Sequence, residues 1–183
     1  METEQLLEKL SRGNTEEAFE AAKSLSNLPR LSAKRITGVL DTAKDAHNRE
    51  AAAYALSWLH RKDRSESLQA LLNIFNDTNE NPSVRGQALE GLGIQRPTTR
   101  HKLWRDVEKA VLDGLNSDAV EVRFWACYAA GTLRMKSALP QLQDLAQNDP
   151  TICPKWWRVS EEAADAIKWI RGRNTETRIP ISS

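Results

Sequence analysis

The chain has 183 residues, of which 40% are hydrophobic and 28% charged, with only eight glycines and seven prolines. This composition excludes a disordered or fibrous chain, and the length suffices for one domain or one short repeat array with a buried core. Because 26 Lys and Arg residues oppose 25 Asp and Glu residues, the formal net charge of +1 does not favour nucleic-acid or lipid binding through bulk charge.

Neither membrane insertion nor secretion is expected. The longest mainly apolar stretch without a charge, Phe124 to Leu133, has ten residues, about half of what a membrane-spanning helix needs. The N-terminus is acidic and has no basic and apolar regions of the kind found in secretory signals. Two cysteines, Cys127 and Cys153, cannot form a disulfide framework, so we expect a reducing, cytoplasmic location.

Two kinds of amphipathic helix are predicted to alternate along the chain. The first kind carries Leu, Ile, Val or Phe at helical spacing, around residues 6–10, 36–40, 68–75, 107–115 and 139–145. The second kind begins at residues 15, 49, 85, 123 and 160, which are 34, 36, 38 and 37 residues apart. Sustained period-two alternation is absent, so strands are not expected.

The second kind of helix has small residues on one side. Counted from its first residue, offsets +3 and +6 are Ala52 and Ala55 in one copy and Ala126 and Ala129 in another. Small side chains on one helical face let another helix approach closely. The unit is therefore helix A, turn, helix B, about 36 residues long and present five times, because one pair alone cannot cover its apolar faces.

Turn residues support these boundaries. Gly13 suits the end of the first helix, and Thr15 is positioned to cap the second. Asn81-Pro82-Ser83 precedes the B helix of the third copy, and Asn116-Ser117-Asp118 that of the fourth.

With these motifs the sequence resembles the HEAT-repeat proteins, most of all the short type found also in phycobilisome lyase subunits. The residues that carry the resemblance, which extends from about Glu4 to Arg171, are Val84, Arg85, Ala88, Leu89, Leu92 and Gly93, and Val122, Arg123, Ala126, Ala129 and Gly131. It implies an all-α fold, a right-handed α-solenoid at residues 1–173 followed by a polar tail at 174–183. It also implies that the B helices line the concave side.

In this family the repeat arginine typically bonds an acidic or carbonyl group in a neighbouring turn. The resemblance therefore assigns Arg49, Arg85 and Arg123 a structural role. Candidate partners are Asp45, Asp77 and Asp118.

Enzymatic motifs are missing from the sequence. His47, His60 and His101 have no metal-ligand spacing to one another or to the cysteines, and no phosphate-binding or dinucleotide-binding glycine motif is present. We expect Cys127 to be buried in a B helix and Cys153 to lie exposed in a loop between two prolines. The sequence predicts a protein with no catalytic residues, no cofactor and no metal.

The outward side of the B helices is predicted to be acidic with embedded aromatic residues. Acidic residues in a first helical turn favour the helix dipole without any partner, but that does not explain those one turn further in. The tryptophans pack between repeats or contact a ligand, and the sequence leaves both open. The candidate partner-binding residues are Glu20, Tyr54, Trp58, Glu90, Trp125, Tyr128, Asp165 and Trp169. The segment at 148–157, with Trp156 and Trp157, is predicted to shape a groove.

Basic residues follow the ends of successive B helices and form a predicted basic edge. It comprises Arg61, Lys62, Arg64, Arg96, Arg100, Lys102, Arg105, Arg134, Lys136, Arg171 and Arg173. Cations suit helix C-termini, so a solvated edge is the simpler interpretation. A ridge that follows nucleic-acid phosphates is the alternative.

These features predict a non-enzymatic scaffold that binds a protein partner with a basic patch. One version is an inhibitor or immunity protein for a toxin or nuclease. The first alternative is nucleic-acid binding through the basic edge, as in HEAT-like DNA glycosylases. The second alternative is a subunit resembling the bilin lyases.

Overall fold

The computed structural model describes residues 2–28, 31–59, 64–175 and 178, which contain ten α-helices. They are α1 (Glu2–Arg12), α2 (Thr15–Ser26), α3 (Ala33–Leu40), α4 (Ala46–Trp58), α5 (Arg64–Asn76), α6 (Pro82–Gln95), α7 (Trp104–Leu115), α8 (Val120–Thr132), α9 (Leu139–Asn148) and α10 (Val159–Ile170). A short 3₁₀ helix, Lys136–Ala138, precedes α9. Over the same residues the β contacts amount to one isolated bridge between Ile152 and Arg158, so the all-α prediction is confirmed.

The helices form five consecutive pairs, and the protein is an α-solenoid. We call α1, α3, α5, α7 and α9 the A helices and α2, α4, α6, α8 and α10 the B helices. Each B helix packs on the next one, from α2 through to α10, while α1, α3, α5 and α7 pack in a second layer. The predicted five-copy helix-pair repeat is therefore confirmed. Between the layers lies one continuous apolar core.

None of the helices in the described ranges is both long enough and apolar enough to cross a membrane.

Close contact between B helices depends on glycine and alanine. A Cβ atom added at Gly131 of α8 would lie 2.6 Å from Trp169 Cε3 and 2.8 Å from the Cα of Ala166 in α10. A Cβ at Gly91 of α6 would lie 2.3 Å from the Oγ of Ser57 in α4. The B helices thus touch almost backbone to backbone, as the small residues at these offsets predicted.

Arg123 joins two adjacent repeats. Its NH1 donates to the backbone carbonyls of Ser117 (2.8 Å) and Asp118 (2.9 Å), and its Nε donates to Asp149 Oδ2 (2.8 Å) in the next repeat. Burial alone would raise the pKa of Asp149, but the hydrogen bonds from Arg123 and Thr151 lower it below its usual value.

The other two repeat arginines also bind carbonyl or acidic groups in neighbouring turns, as the resemblance implied. Arg49 donates to the Leu40 carbonyl and forms a salt bridge with Glu80 of the following repeat. Arg85 donates through Nε to the Phe75 carbonyl (2.9 Å). Its Cζ atom also lies 5.1 Å from the centroid of the Phe75 ring.

Of the three candidate partners, Asp118 does bind Arg123, through its backbone carbonyl. Among the described residues Asp45 and Asp77 accept no hydrogen bond from a repeat guanidinium, so the expectation was wrong for these two. Backbone carbonyls and acids of the next repeat take their place because a guanidinium reaches several acceptors at once.

One cap differs by a residue from the prediction. Asn14, not Thr15, is the N-cap of α2: its side chain accepts from the Glu17 amide (3.0 Å), and the Glu17 carboxylate accepts from the Asn14 amide (3.1 Å). This reciprocal capping box satisfies two otherwise free donors. The N-cap of α6 is Asn81, in agreement with the sequence.

We predict that Gly131→Ala destabilises the protein by about 1–3 kcal/mol, because the new methyl group would force α8 and α10 apart. Gly38→Ala is the matched control. Gly38 lies in the exposed part of α3 with nothing within 4 Å of an added Cβ, so this change should stabilise by about 0.5–1 kcal/mol. Urea unfolding measures both; equal stability of Gly131→Ala and wild type would contradict the close-contact argument.

Candidate functional site

Six aromatic rings surround a cavity of about 320 Å³ on the B-helix layer. We call it the aromatic pocket. The rings are those of Phe124, Trp125, Tyr128, Trp156, Trp157 and Trp169. The charged groups that line the pocket are the carboxylates of Glu90, Glu162 and Asp165 and the guanidinium of Arg178.

The rings form a connected edge-to-face chain. Trp125 and Tyr128 of α8 have centroids 5.7 Å apart, and Tyr128 lies 5.9 Å from Trp169 of α10. Trp156 lies 5.1 Å from Trp125 on the other side. Such pairs add about 0.5–1.5 kcal/mol each beyond the area they bury, which makes the pocket wall rigid.

Phe124 forms the floor of the pocket. Its ring is only 1% exposed and lies 5.2 Å from Trp125 and 5.6 Å from Trp157. The sequence pattern did not predict this burial. The segment before α10 covers this first turn of α8, and a periodicity argument has no means to include it.

The segment between α9 and α10 brings in Trp156 and Trp157, so its prediction as a groove-shaping element agrees with the geometry. Its fold is fixed by backbone bonds from the Cys153 amide to the Trp157 carbonyl and from the Trp156 amide to the Cys153 carbonyl, both 3.0 Å. Cys153 is 1% exposed, not exposed as expected, because this tight turn points its thiol into the core. Burial raises its pKa to about 12.

Glu162 is the most deeply buried acid of the pocket, with 2% of its surface exposed. Its Oε2 accepts from Trp157 Nε1 (2.8 Å), and its Oε1 has no hydrogen-bond partner within the described part of the chain. Burial raises its pKa to about 7, although the Trp157 bond and nearby Arg178 oppose the rise. Glu162 lies in the first turn of α10, where the helix dipole favours an acidic residue, but the dipole does not require that residue to be buried.

Glu90 reaches the pocket from α6. It accepts a hydrogen bond from Gln87 one turn earlier. Burial raises its pKa to about 7, and the charge of Glu50 adds to the rise. Two carboxyls of the pocket therefore change charge near neutral pH.

Asp165 is 4% exposed and carries two cations. Lys168 Nζ donates to its Oδ1 at 3.0 Å, and Arg178 Nε donates to its Oδ2 at 2.7 Å. Arg178 also donates through NH1 to Glu161 Oε1 at 3.2 Å. A residue of the predicted polar tail thus lies in the pocket, and a second one, Thr175, accepts from Trp169 Nε1 at 3.1 Å.

The rest of the tail, residues 176, 177 and 179–183, lies outside the described residues, and the domain boundary at 173 stays a prediction.

Five of the eight predicted partner-binding residues line this one pocket: Glu90, Trp125, Tyr128, Asp165 and Trp169. Their role in binding stays a prediction. The predicted binding residues did not include Arg178 or four other residues that line the pocket, namely Phe124, Trp156, Trp157 and Glu162. The Trp-Trp pair was the one signal that pointed to any of them.

The remaining three candidates lie in the N-terminal half. Tyr54 has its ring 6.0 Å from Phe19 and 6.3 Å from Trp58, which is 51% exposed. Glu20 is exposed and pairs with Lys23 at 2.7 Å. These residues share the B-helix layer with the pocket but not the cavity.

Three arginines of the predicted basic edge surround a second cavity of about 350 Å³. Arg96, Arg134 and Arg173 line it, and it shares Tyr128 and Trp169 with the aromatic pocket. Arg61 and Lys62, also assigned to this edge, lie outside the described residues.

The described histidines have ordinary structural contacts. His47 Nε2 bonds with the Gly13 carbonyl (3.2 Å), and His101 Nε2 with Ser65 Oγ (3.1 Å). His60 lies outside the described residues. Within the described ranges no three His, Cys, Asp or Glu side chains cluster as metal ligands would.

Comparison with known proteins supports a repeat protein. A family model described as HEAT repeats matches residues 77–167. An engineered protein from the Northeast Structural Genomics Consortium is similar in structure, with a TM-score of 0.52, 18% identity, and coverage of 93% of this chain and 79% of that one. A designed armadillo repeat protein, solved in complex with the peptide (KR)4, has a TM-score of 0.50, 14% identity, and coverage of 90% and 80%.

No curated protein sequence matches the chain significantly. At these identities the structural likeness establishes the fold only. The finer resemblance to phycobilisome lyase subunits stays a prediction.

We predict that the free energy of unfolding of wild type decreases as pH rises, because Glu162 ionises, and that Glu162→Gln abolishes this decrease. In the unfolded chain Glu162 loses its proton near pH 4.5, whereas in the folded protein it keeps it until about pH 7. The folded state therefore binds the extra proton, and wild-type stability falls between these two pH values and stays low above them. The difference of about 2.5 between the two pKa values corresponds to about 3 kcal/mol. The melting temperature of the variant relative to wild type should therefore rise by roughly 6–12 °C between pH 4.5 and pH 8.

Glu66→Gln, an exposed change on α5, is the control and should give the same difference at both pH values. The burial argument fails if Glu162→Gln behaves like this control. Differential scanning fluorimetry at a series of pH values suffices.

Proposed function

We propose that this protein is a non-enzymatic scaffold that binds a basic segment of another protein through the B-helix layer, at the aromatic pocket. The observation that carries the proposal is the convergence of six rings and three carboxylates on one cavity, whose wall also holds the guanidinium of Arg178. The proposal keeps the sequence prediction of an acidic, aromatic binding face but centres it on the C-terminal half.

The chemistry of the pocket suits a cationic side chain. Accessible Trp and Tyr rings supply contact area at low entropic cost and are common in protein interfaces. Carboxylates held away from water pay a desolvation penalty, which a bound cation offsets. Negative charge at the pocket would also speed the encounter with a basic partner, most strongly at low salt.

A non-enzymatic role is supported by the state of the two cysteines. Cys127 and Cys153 are buried, and burial raises the pKa of both thiols, which leaves little of the reactive thiolate.

The likeness to the designed armadillo protein supplies a suitable probe, because that protein was solved with the peptide (KR)4. An inhibitor or immunity protein that masks a basic toxin or nuclease would use such a surface. That role stays a prediction, and purified basic nucleases tested at low and high salt would address it.

We predict that (KR)4 binds the protein at pH 8 and low salt, and that Glu90→Gln weakens binding by about tenfold. A charge-assisted hydrogen bond contributes about 1.5–3 kcal/mol, and 1.4 kcal/mol corresponds to tenfold in affinity. Binding should also weaken from pH 8 to pH 6, because Glu90 and Glu162, with pKa values of about 7, take up protons. Isothermal titration calorimetry measures both effects.

Glu66→Gln again serves as control, since it removes the same charge from an exposed position on α5. Equal weakening by both variants would place the peptide elsewhere. Absence of binding by (KR)4 to wild type at low salt would refute the proposed function.

A second candidate is nucleic-acid binding at the basic edge. The convergence of Arg96, Arg134 and Arg173 on one cavity favours it, because phosphates bind to clustered guanidinium groups. Fluorescence anisotropy with duplex DNA separates the two candidates: binding that weakens with salt and with Arg134→Ala supports this one. Absence of binding at low salt removes it.

A further inference from the structure

Arg178 differs from the structural arginines of the repeats. It follows α10 by eight residues and belongs to no repeat. Arg123 is held by two backbone carbonyls and one acid, whereas both side chains that accept from Arg178 within the described residues are carboxylates of one helix, Asp165 and Glu161. Its side chain is 27% exposed, compared with 16% for Arg123. It is therefore accessible from solvent.

The acceptors on α10 suit the planar fork of a guanidinium. Asp165 and Glu161 are one turn apart, and Arg178 spans them with Nε at 2.7 Å and NH1 at 3.2 Å. The second oxygen of each carboxylate is already used, by Lys168 Nζ for Asp165 and by the Arg158 amide for Glu161. An ammonium group is a compact point charge and cannot span two carboxylates in this way.

More acceptor capacity remains beside this pair. Glu162 follows Glu161 in sequence, is buried and lines the pocket. Its Oε1 atom has no hydrogen-bond partner in the described part of the chain. Glu90 lines the same cavity from α6. The cavity of about 320 Å³ is present with Arg178 in place, so a ligand that carries several cations finds both room and charge.

We propose that Asp165 and Glu161 form an arginine-binding subsite of the aromatic pocket, and that Arg178 is its intramolecular ligand, which an arginine of the partner displaces. This inference rests on the proposed function and adds the identity of the recognised side chain and a means of regulation. Because Arg178 is tethered to the subsite, it competes with the partner's arginine at a high effective concentration. The apparent affinity for the partner is the intrinsic affinity multiplied by the fraction of molecules in which the subsite is free.

The first test compares the full-length wild type with Arg178→Ala by titration with octa-arginine and octa-lysine at pH 8 and low salt. Arg178→Ala should bind octa-arginine at least fivefold more tightly than wild type does. Arg171→Ala, which removes the same charge at the exposed end of α10, should stay within twofold of wild type. Octa-lysine should bind more weakly and gain little from Arg178→Ala.

The outcomes separate this inference from the proposed function. Equal tightening by Arg178→Ala and Arg171→Ala reduces the effect to general charge and overturns the subsite. If wild type and Arg178→Ala bind octa-arginine with equal affinity, the subsite is overturned and Arg178 is a fixed part of the pocket wall. The proposed function is not affected by this result. If octa-arginine binds neither protein, the proposed function fails together with the inference.

A second test observes the subsite directly. Trp157 Nε1 donates to Glu162 and Trp169 Nε1 to Thr175, so their indole NMR signals report on this region. Arg178→Ala should shift these signals, and N-acetyl-arginine methylamide should return them toward their wild-type positions, while the lysine analogue should not. Arg178→Lys, which keeps the charge but loses the fork, should give an intermediate gain in octa-arginine affinity. Failure of the arginine analogue to move the signals refutes the subsite.

Discussion

Close contact between successive B helices is the constraint on which the rest of the structure depends. At Gly91 and Gly131 the neighbouring B helix, α4 and α10 respectively, leaves no room for a methyl group. The glycines also make room for large side chains of the neighbouring B helix: Trp169 packs on Gly131, and Trp125 packs on Gly86. The small residues therefore let these rings pack against the adjacent helix and lie side by side on one surface.

That surface becomes a pocket only in the C-terminal half, where a non-repeating segment adds to it. Tyr128 and Trp169 meet because α8 and α10 touch at Gly131. The loop before α10 then folds over the first turn of α8 and buries Phe124 beneath Trp157. In the N-terminal half, Tyr54 packs beside Trp58, and Trp58 stays largely exposed.

The contrast between repeating helices and non-repeating segments also explains which features could be predicted from the sequence. Periodic features were recovered: the five helix pairs, the small-residue face and five residues of the pocket follow from spacing alone. Features that depend on non-repeating segments were not, namely the burial of Cys153 and Phe124 and the position of Arg178. The particular acids that pair with the repeat arginines, Glu80 and Asp149, also escaped prediction. A guanidinium takes several acceptors, and tertiary packing decides which of the nearby acids it reaches.

A chain of net charge +1 can hold an acidic pocket because its charges are segregated along each B helix. Arginines follow the C-terminal ends of these helices, where the dipole favours them, and three meet at the second cavity. Acids one or two turns into α6 and α10 face the rings instead, and Tyr128 and Trp169 separate the two environments. Of the acids that line the pocket, Asp165 is balanced by Lys168 and Arg178, whereas Glu90 and Glu162 keep protons up to about pH 7. A ligand cation would release those protons, so occupancy of the pocket and ionisation of its walls are one coupled equilibrium.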